Sequence, residues 1–179
     1  MKLANLITCS RIFLIIPIIW FSSKGGVFGN TIALVLFILA ASTDYFDGYL
    51  ARKTNGETQL GALLDLLADK LLVCILLIWI VYSTSNFWIL IPSLIIISRE
   101  IIISSIRQFL AERNSANMLT VSKLGKIKTT FQLISIGLLI ILGEKENYLS
   151  YSAISLVWLA SFLSILSCYK YIKNLNLDH

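Results

Sequence analysis

Stretches of about twenty mostly apolar residues recur along this chain of 179 residues, and they leave it few ways to fold. A bilayer core needs roughly 20 helical residues to cross. Inside it only helices or closed barrels satisfy their own backbone. Segments 30–52, 59–82, 87–110, 125–142 and 148–172 meet or approach that length, and 12–21 does so when residues 5–11 continue it through a kink at or near Pro17. The expected architecture is an all-α integral membrane protein, a six-transmembrane-helix bundle. A short N-terminal amphipathic helix over 1–11 should precede it, with Leu3, Leu6 and Ile7 on the oily side and Lys2 and Arg11 at the surface. Because 57% of the chain is hydrophobic and no Gly-rich nucleotide loop, repeat or low-complexity run interrupts it, residues 1–179 read as one membrane domain. The basic, then apolar, start could pass for a signal peptide. No small-x-small cleavage site follows it and Arg11 breaks the run early, so it is expected to stay in the mature protein. Cys9, Cys74 and Cys168 lack paired or metal-ligand spacing and read as small buried hydrophobes, while the only histidine is His179 at the end of the chain. Acid–base chemistry is therefore left to carboxylates.

Four of the ten acidic residues, Asp44, Asp47, Asp65 and Asp69, fall within one stretch of this oily chain. An ionisable group at membrane depth is costly and points to function. On a helix Asp44, Asp47, Gly48 and Ala51 share a face, with Arg52 one turn after Gly48; downstream, Gly61, Asp65 and Asp69 share another. If 54–58 is the turn between two antiparallel helices, the four carboxylates can converge, which low dielectric tolerates only with cations between them. Hard oxygen ligands suggest Mg²⁺ or Mn²⁺, and four carboxylates suit two divalent ions, an arrangement that clamps a phosphoryl group. Helix capping by the first pair, or a small-residue helix contact at Gly61, would leave Asp65 and Asp69 unexplained inside an apolar run.

A second constellation is basic. Arg99 and Arg107, eight residues apart, share a helix face, and Arg99 lies deep enough to need a partner, whereas the adjacent Glu100 is expected to point another way. Lys123, Lys126 and Lys128 cluster where a helix should begin near Gly125, so exposed N–H groups and lysines together form a natural phosphate site. Ordinary positive-inside charge is the competing account of that cluster. Lys2, Arg11, Arg52, Lys53, Arg113, Lys123, Lys126, Lys128, Lys170 and Lys173 fall on one side and Lys24 and Lys145 on the other. That asymmetry places both termini and the aspartate loop in the cytoplasm.

Written as Asp44-x2-Asp47-Gly48-x2-Ala51-Arg52-x8-Gly61-x3-Asp65-x3-Asp69, the first constellation resembles the signature of the CDP-alcohol phosphotransferases, with all eight positions matching. Three further segments are similar to the bacterial branch that makes phosphatidylglycerophosphate: Asn5 to Arg11 (NLIT-x2-R), Ser98 to Arg107 (SRE-x6-R) and Ser122 to Gln132 (S-x2-GK-x-KT-x2-Q). The resemblance implies an enzyme of the bacterial cell membrane that moves a phosphatidyl group from CDP-diacylglycerol to sn-glycerol 3-phosphate and releases CMP. It implies that Asp44, Asp47 and Asp65 hold the metals, and that Asp69 takes the acceptor's proton while neighbouring a metal. Asn5, Thr8, Gly48, Ala51, Arg52 and Gly61 would meet the CDP donor, and Arg99, Arg107, Lys123, Lys126 and Lys128 the acceptor phosphate. Membrane lipids and a second copy in a homodimer are the implied partners, and nucleic acid is not. Within the family, inositol phosphate, serine or phosphatidylglycerol remain alternative acceptors. Outside it, a cation transporter with an aspartate-lined path would explain the carboxylates but not Gly48, Ala51 and Arg52 at fixed offsets.

Overall fold

The computed structural model describes residues 2–54, 59–112, 123–143 and 148–177, with side chains described over 10–43, 67–110, 125, 127–143 and 148–173. The described residues are helical apart from short turns: α1 (Lys2–Ser23), α2 (Gly26–Thr54), α3 (Gln59–Thr84), α4 (Phe87–Glu112), α5 (Lys123–Leu142) and α6 (Tyr148–Leu177). Four stretches are long and apolar enough to cross a membrane, Gly26–Thr43, Leu67–Thr84, Phe87–Leu110 and Tyr148–Lys173. The chain is thus a multi-pass membrane protein. Helices α1 and α5 carry shorter apolar stretches, Ser10–Ser23 and Ile127–Leu142. No break separates an N-terminal amphipathic helix from the first apolar segment, because α1 runs unbroken with Pro17 inside it.

Each turn has a local cause. Gly25 and Gly26 adopt φ of 64° and 73°, a region that L side chains rarely enter, and so allow the chain to leave α1 and start α2 at once. Asn86 caps α4 by accepting the Trp88 N–H at 2.9 Å on its side-chain oxygen. Helix α5 ends in a left-handed glycine, Gly143, whose N–H donates to the Leu139 carbonyl at 3.0 Å.

Ile15 and Ile18 of α1, Phe37 of α2, Leu76 and Leu77 of α3, Ile96 of α4, Ile136 and Ile140 of α5 and Val157 of α6 form one continuous core. Helix α1 packs against both α2 and α3, α5 sits between α2 and α6, and α4 lies on α6 and α3. Close approach sets two of these contacts. A methyl group added at Gly29 would come 2.6 Å from the Phe21 carbonyl oxygen, and one at Gly137 would come 3.3 Å from Leu34 Cδ1. Outside this core the helices stay apolar: Phe13, Phe28, Trp88, Ile101 and Phe162 are all more than half exposed, as side chains bathed by lipid would be.

Candidate active site

The described site begins at the depth where the apolar stretches of α2 and α3 end. Arg11, fully buried, forms an ion pair with Asp69 of α3, and its Nε donates to Thr43 Oγ1 of α2 at 3.2 Å. The Thr43 hydroxyl in turn donates to the Ala40 carbonyl at 2.7 Å, which orients its oxygen to accept from the arginine. One α1 side chain therefore ties Asp69 to the residue immediately before Asp44. This corrects the expectation of a surface Arg11: an arginine inside an apolar bundle persists only where a carboxylate and hydrogen-bond acceptors meet it. Its register offered the signal, since Thr8 and Arg11 are spaced i, i+3 and so share a face, and the resemblance assigns Thr8 to the donor site.

Asp69 also lines a cavity of about 390 Å³ between α2, α3, α4 and α5, a volume typical of small-ligand sites. Ala40 and Ala41 form its α2 wall, and their small side chains leave the space open. The remaining walls carry Lys70, Arg99, Glu100, Arg107, Gly125, Lys128 and Gln132. Arg99 and Arg107 thus share the face that their spacing predicts, and both meet the cavity that Asp69 enters.

Glu100 does not point away. It forms an ion pair with the almost fully buried Lys128, and Arg99 Nη1 lies 3.6 Å from the same carboxylate oxygen. The expectation failed because it considered only the α4 helix face, whereas the partner of Glu100 comes from α5. Arg99 also donates from Nη2 to Ser167 Oγ of α6 at 3.0 Å, and Arg107 stands over the Tyr171 ring at 5.8 Å. Lys70, a residue with no sequence-predicted role, donates to Ser104 of α4 from the cavity wall. As a lysine embedded in an apolar run beside Asp69 it met the criterion that singled out the aspartates.

Among the described residues, three buried polar atoms on these walls have no hydrogen-bond partner: Arg99 Nε, Arg107 Nε and Gln132 Oε1. Buried groups left unmet are rare in folded proteins, and three of them on one cavity wall call for an explanation.

Asp44, Asp47, Gly48, Ala51 and Arg52 lie on the last turns of α2, and Gly61 and Asp65 on the first turns of α3. Asn5 and Thr8 belong to α1, and Lys123 and Lys126 to the start of α5. The side chains of these eleven residues lie outside the described ones, and so does the expected four-carboxylate convergence. Among the described residues no three potential metal ligands come together. Carboxylate oxygens, were the four aspartates to converge, are the hard donors that Mg²⁺ or Mn²⁺ takes. Cys74 and Cys168 are free and half-buried, in keeping with a packing role.

Residues 1–166 match the family described as CDP-alcohol phosphatidyltransferase. A protein of Wigglesworthia glossinidia brevipalpis is 44% identical over 171 residues, covering 93% of this chain and 92% of its own. One of Haemophilus influenzae is 44% identical over 142 residues, covering 79% of this chain and 76% of its own. One of Escherichia coli is 37% identical over 146 residues, covering 82% and 79%. Each bears the name CDP-diacylglycerol–glycerol-3-phosphate 3-phosphatidyltransferase.

Proposed function

The chain belongs to the CDP-alcohol phosphatidyltransferase family, and on that premise we propose that it transfers the phosphatidyl group of CDP-diacylglycerol to sn-glycerol 3-phosphate. The observation that carries this reading is a single cavity with Asp69 on one wall and Arg99, Arg107 and Lys128 on the others. A carboxylate able to take a proton faces cations able to hold a phosphate, so an acceptor bearing both hydroxyl and phosphate fits between them. In the reaction the acceptor's primary hydroxyl oxygen bonds to the diacylglycerol-linked phosphorus, the diphosphate P–O bond breaks, and CMP leaves. Asp69 takes the hydroxyl proton, and Arg11 orients the carboxylate for it. Arg99, Arg107 and Lys128, with Lys123 and Lys126 at the start of α5, bind the acceptor phosphate and thereby align the nucleophile. Asn5, Thr8, Gly48, Ala51, Arg52 and Gly61 form the donor side.

Asp44, Asp47, Asp65 and Asp69 would hold two Mg²⁺ or Mn²⁺ ions, whose contribution is to neutralise the diphosphate as charge develops on it. The lysine and arginine asymmetry supports six spans, both termini in the cytoplasm and a site facing the cytoplasm of a bacterial cell membrane. On this reading residues 1–179 work as a single domain within a homodimer.

An acceptor panel tests the assignment. Purified protein with CDP-diacylglycerol and Mg²⁺ or Mn²⁺ should release CMP with sn-glycerol 3-phosphate and poorly with glycerol, serine or inositol phosphate, and excess chelator should stop the release. In the same panel Arg107→Ala should raise KM for sn-glycerol 3-phosphate by about tenfold to a hundredfold, the value of a charge-assisted contact, and leave KM for the donor nearly unchanged. Equal CMP release with glycerol would reduce the basic wall to topogenic charge and reassign the acceptor.

A further inference from the structure

We infer that Gln132 is a specificity-determining residue that reads the acceptor hydroxyl which does not react. The inference rests on the acceptor being the phosphomonoester proposed above and goes beyond it by naming what recognises the rest of that molecule.

The unmet groups of the cavity are of two kinds. Arg99 Nε and Arg107 Nε are donors without acceptors among the described residues, and phosphate oxygens are acceptors of the kind that would answer them. Gln132 Oε1 is an acceptor without a donor, on a side chain only 1% exposed. The oxygens of an ionised phosphate carry no hydrogen to offer it. Nor does the reacting hydroxyl, whose proton passes to Asp69. What remains is a second hydroxyl on the same molecule, and sn-glycerol 3-phosphate has one at its central carbon.

The spacing suits such a ligand. Gln132 lies one helical turn beyond Lys128 on the same face of α5, about 6 Å along the axis. That separation is commensurate with the span from phosphate to hydroxyl in a three-carbon phosphomonoester. Terminal amide torsions are broad, so the oxygen can turn into the cavity from the wall that Gln132 lines without leaving its rotamer. The phosphate wall, Asp69 and Gln132 together make a three-point contact at a carbon with four different substituents. They therefore select both the presence of the central hydroxyl and its handedness.

The test compares kcat/KM for three acceptors: sn-glycerol 3-phosphate, its mirror image sn-glycerol 1-phosphate, and 3-hydroxypropyl phosphate, which lacks the central hydroxyl. The parent protein should prefer the first by about tenfold to a hundredfold over each of the others, since an analogue without the hydroxyl leaves a buried acceptor unpaired. Gln132→Met keeps the volume and removes the acceptor. It should bring the three acceptors close to parity, with the loss confined to sn-glycerol 3-phosphate. Gln132→Glu, which retains an acceptor oxygen, should preserve the order of preference even if every KM rises. Should the methionine variant fail to fold, Gln132→Asn, which withdraws the amide by one methylene, should reduce the same ratio. A parent protein indifferent to the central hydroxyl, or a Gln132→Met loss shared equally by all three acceptors, would overturn the inference while leaving the acceptor assignment intact. A parent protein inactive with all three phosphates would overturn the assignment itself.

Discussion

The cavity beside Arg99 and the cavity at the opposite end of the bundle differ most in what their polar groups are doing. The opposite one, lined by Ser22, Lys24, Asn30, Trp79, Tyr82 and Ser83, is larger, about 750 Å³ against about 390 Å³. Yet Ser22, Asn30, Trp79 and Ser83 are engaged in hydrogen bonds within the protein. Trp79 Nε1 donates to Ser22 Oγ at 3.1 Å, Asn30 Nδ2 to the Ile141 carbonyl at 3.3 Å and Ser83 Oγ to the Ile80 carbonyl at 3.2 Å. Lys24 lies 3.6 Å over the Trp20 ring. The smaller cavity holds Lys70, Arg99, Arg107 and Lys128 against Asp69 and Glu100, with buried donors and an acceptor left open. Excess charge and unmet hydrogen bonds, rather than volume, distinguish a place built for a ligand from a gap between helix ends.

Substitutions at the two ends should separate accordingly. The largest effect belongs to Asp69→Asn, which keeps size and hydrogen bonding but removes the proposed proton acceptor. Turnover should fall by about 10²–10⁴-fold in a CMP-release assay, the usual contribution of a general base. Near-normal turnover would assign the proton to another group and remove the chemical half of the contrast.

Glu100→Gln probes the charge half. Lys128 is 2% exposed and pairs with this carboxylate, so neutralising it leaves a buried ammonium without its described counter-charge. A cost of about 3–5 kcal/mol is expected, read as a lower thermal-unfolding midpoint in detergent, and added inorganic phosphate should recover part of it by replacing the lost negative charge. An unchanged midpoint would show that the wall carries its positive charge without help from Glu100.

The smallest effect is expected at the other end. Lys24→Ala removes a cation over an exposed ring, a contact worth roughly 0.5–1 kcal/mol, and should leave kcat and both KM values within about twofold of the parent. A selective change in either KM would show that the larger cavity also takes part in turnover.

The helical class, the apolar stretches and the shared faces of Arg99 with Arg107 were legible in the sequence, because side-chain period and hydropathy are local properties of a helix. The cationic character of the cavity wall was legible for the same reason. Arg11 and Glu100 were misread for a different reason: whether a charge faces lipid, water or a partner depends on the rotation and depth at which one helix packs on another. Helix period places Arg11 relative to Thr8, but only the packing of α1 against both α2 and α3 delivers it to Thr43 and Asp69.

By itself, then, the sequence determined that this chain is a membrane helix bundle with carboxylates on two helices and cations on two others, since the cost of charge in hydrocarbon makes such residues conspicuous wherever they fall. Only the tertiary structure decided which of them meet. It joined Asp69 of α3, Arg99 and Arg107 of α4 and Lys128 and Gln132 of α5 around one cavity, and it set Glu100 against Lys128. Contacts between residues distant in sequence are chosen by the packing of whole helices, and no single helix's periodicity contains them.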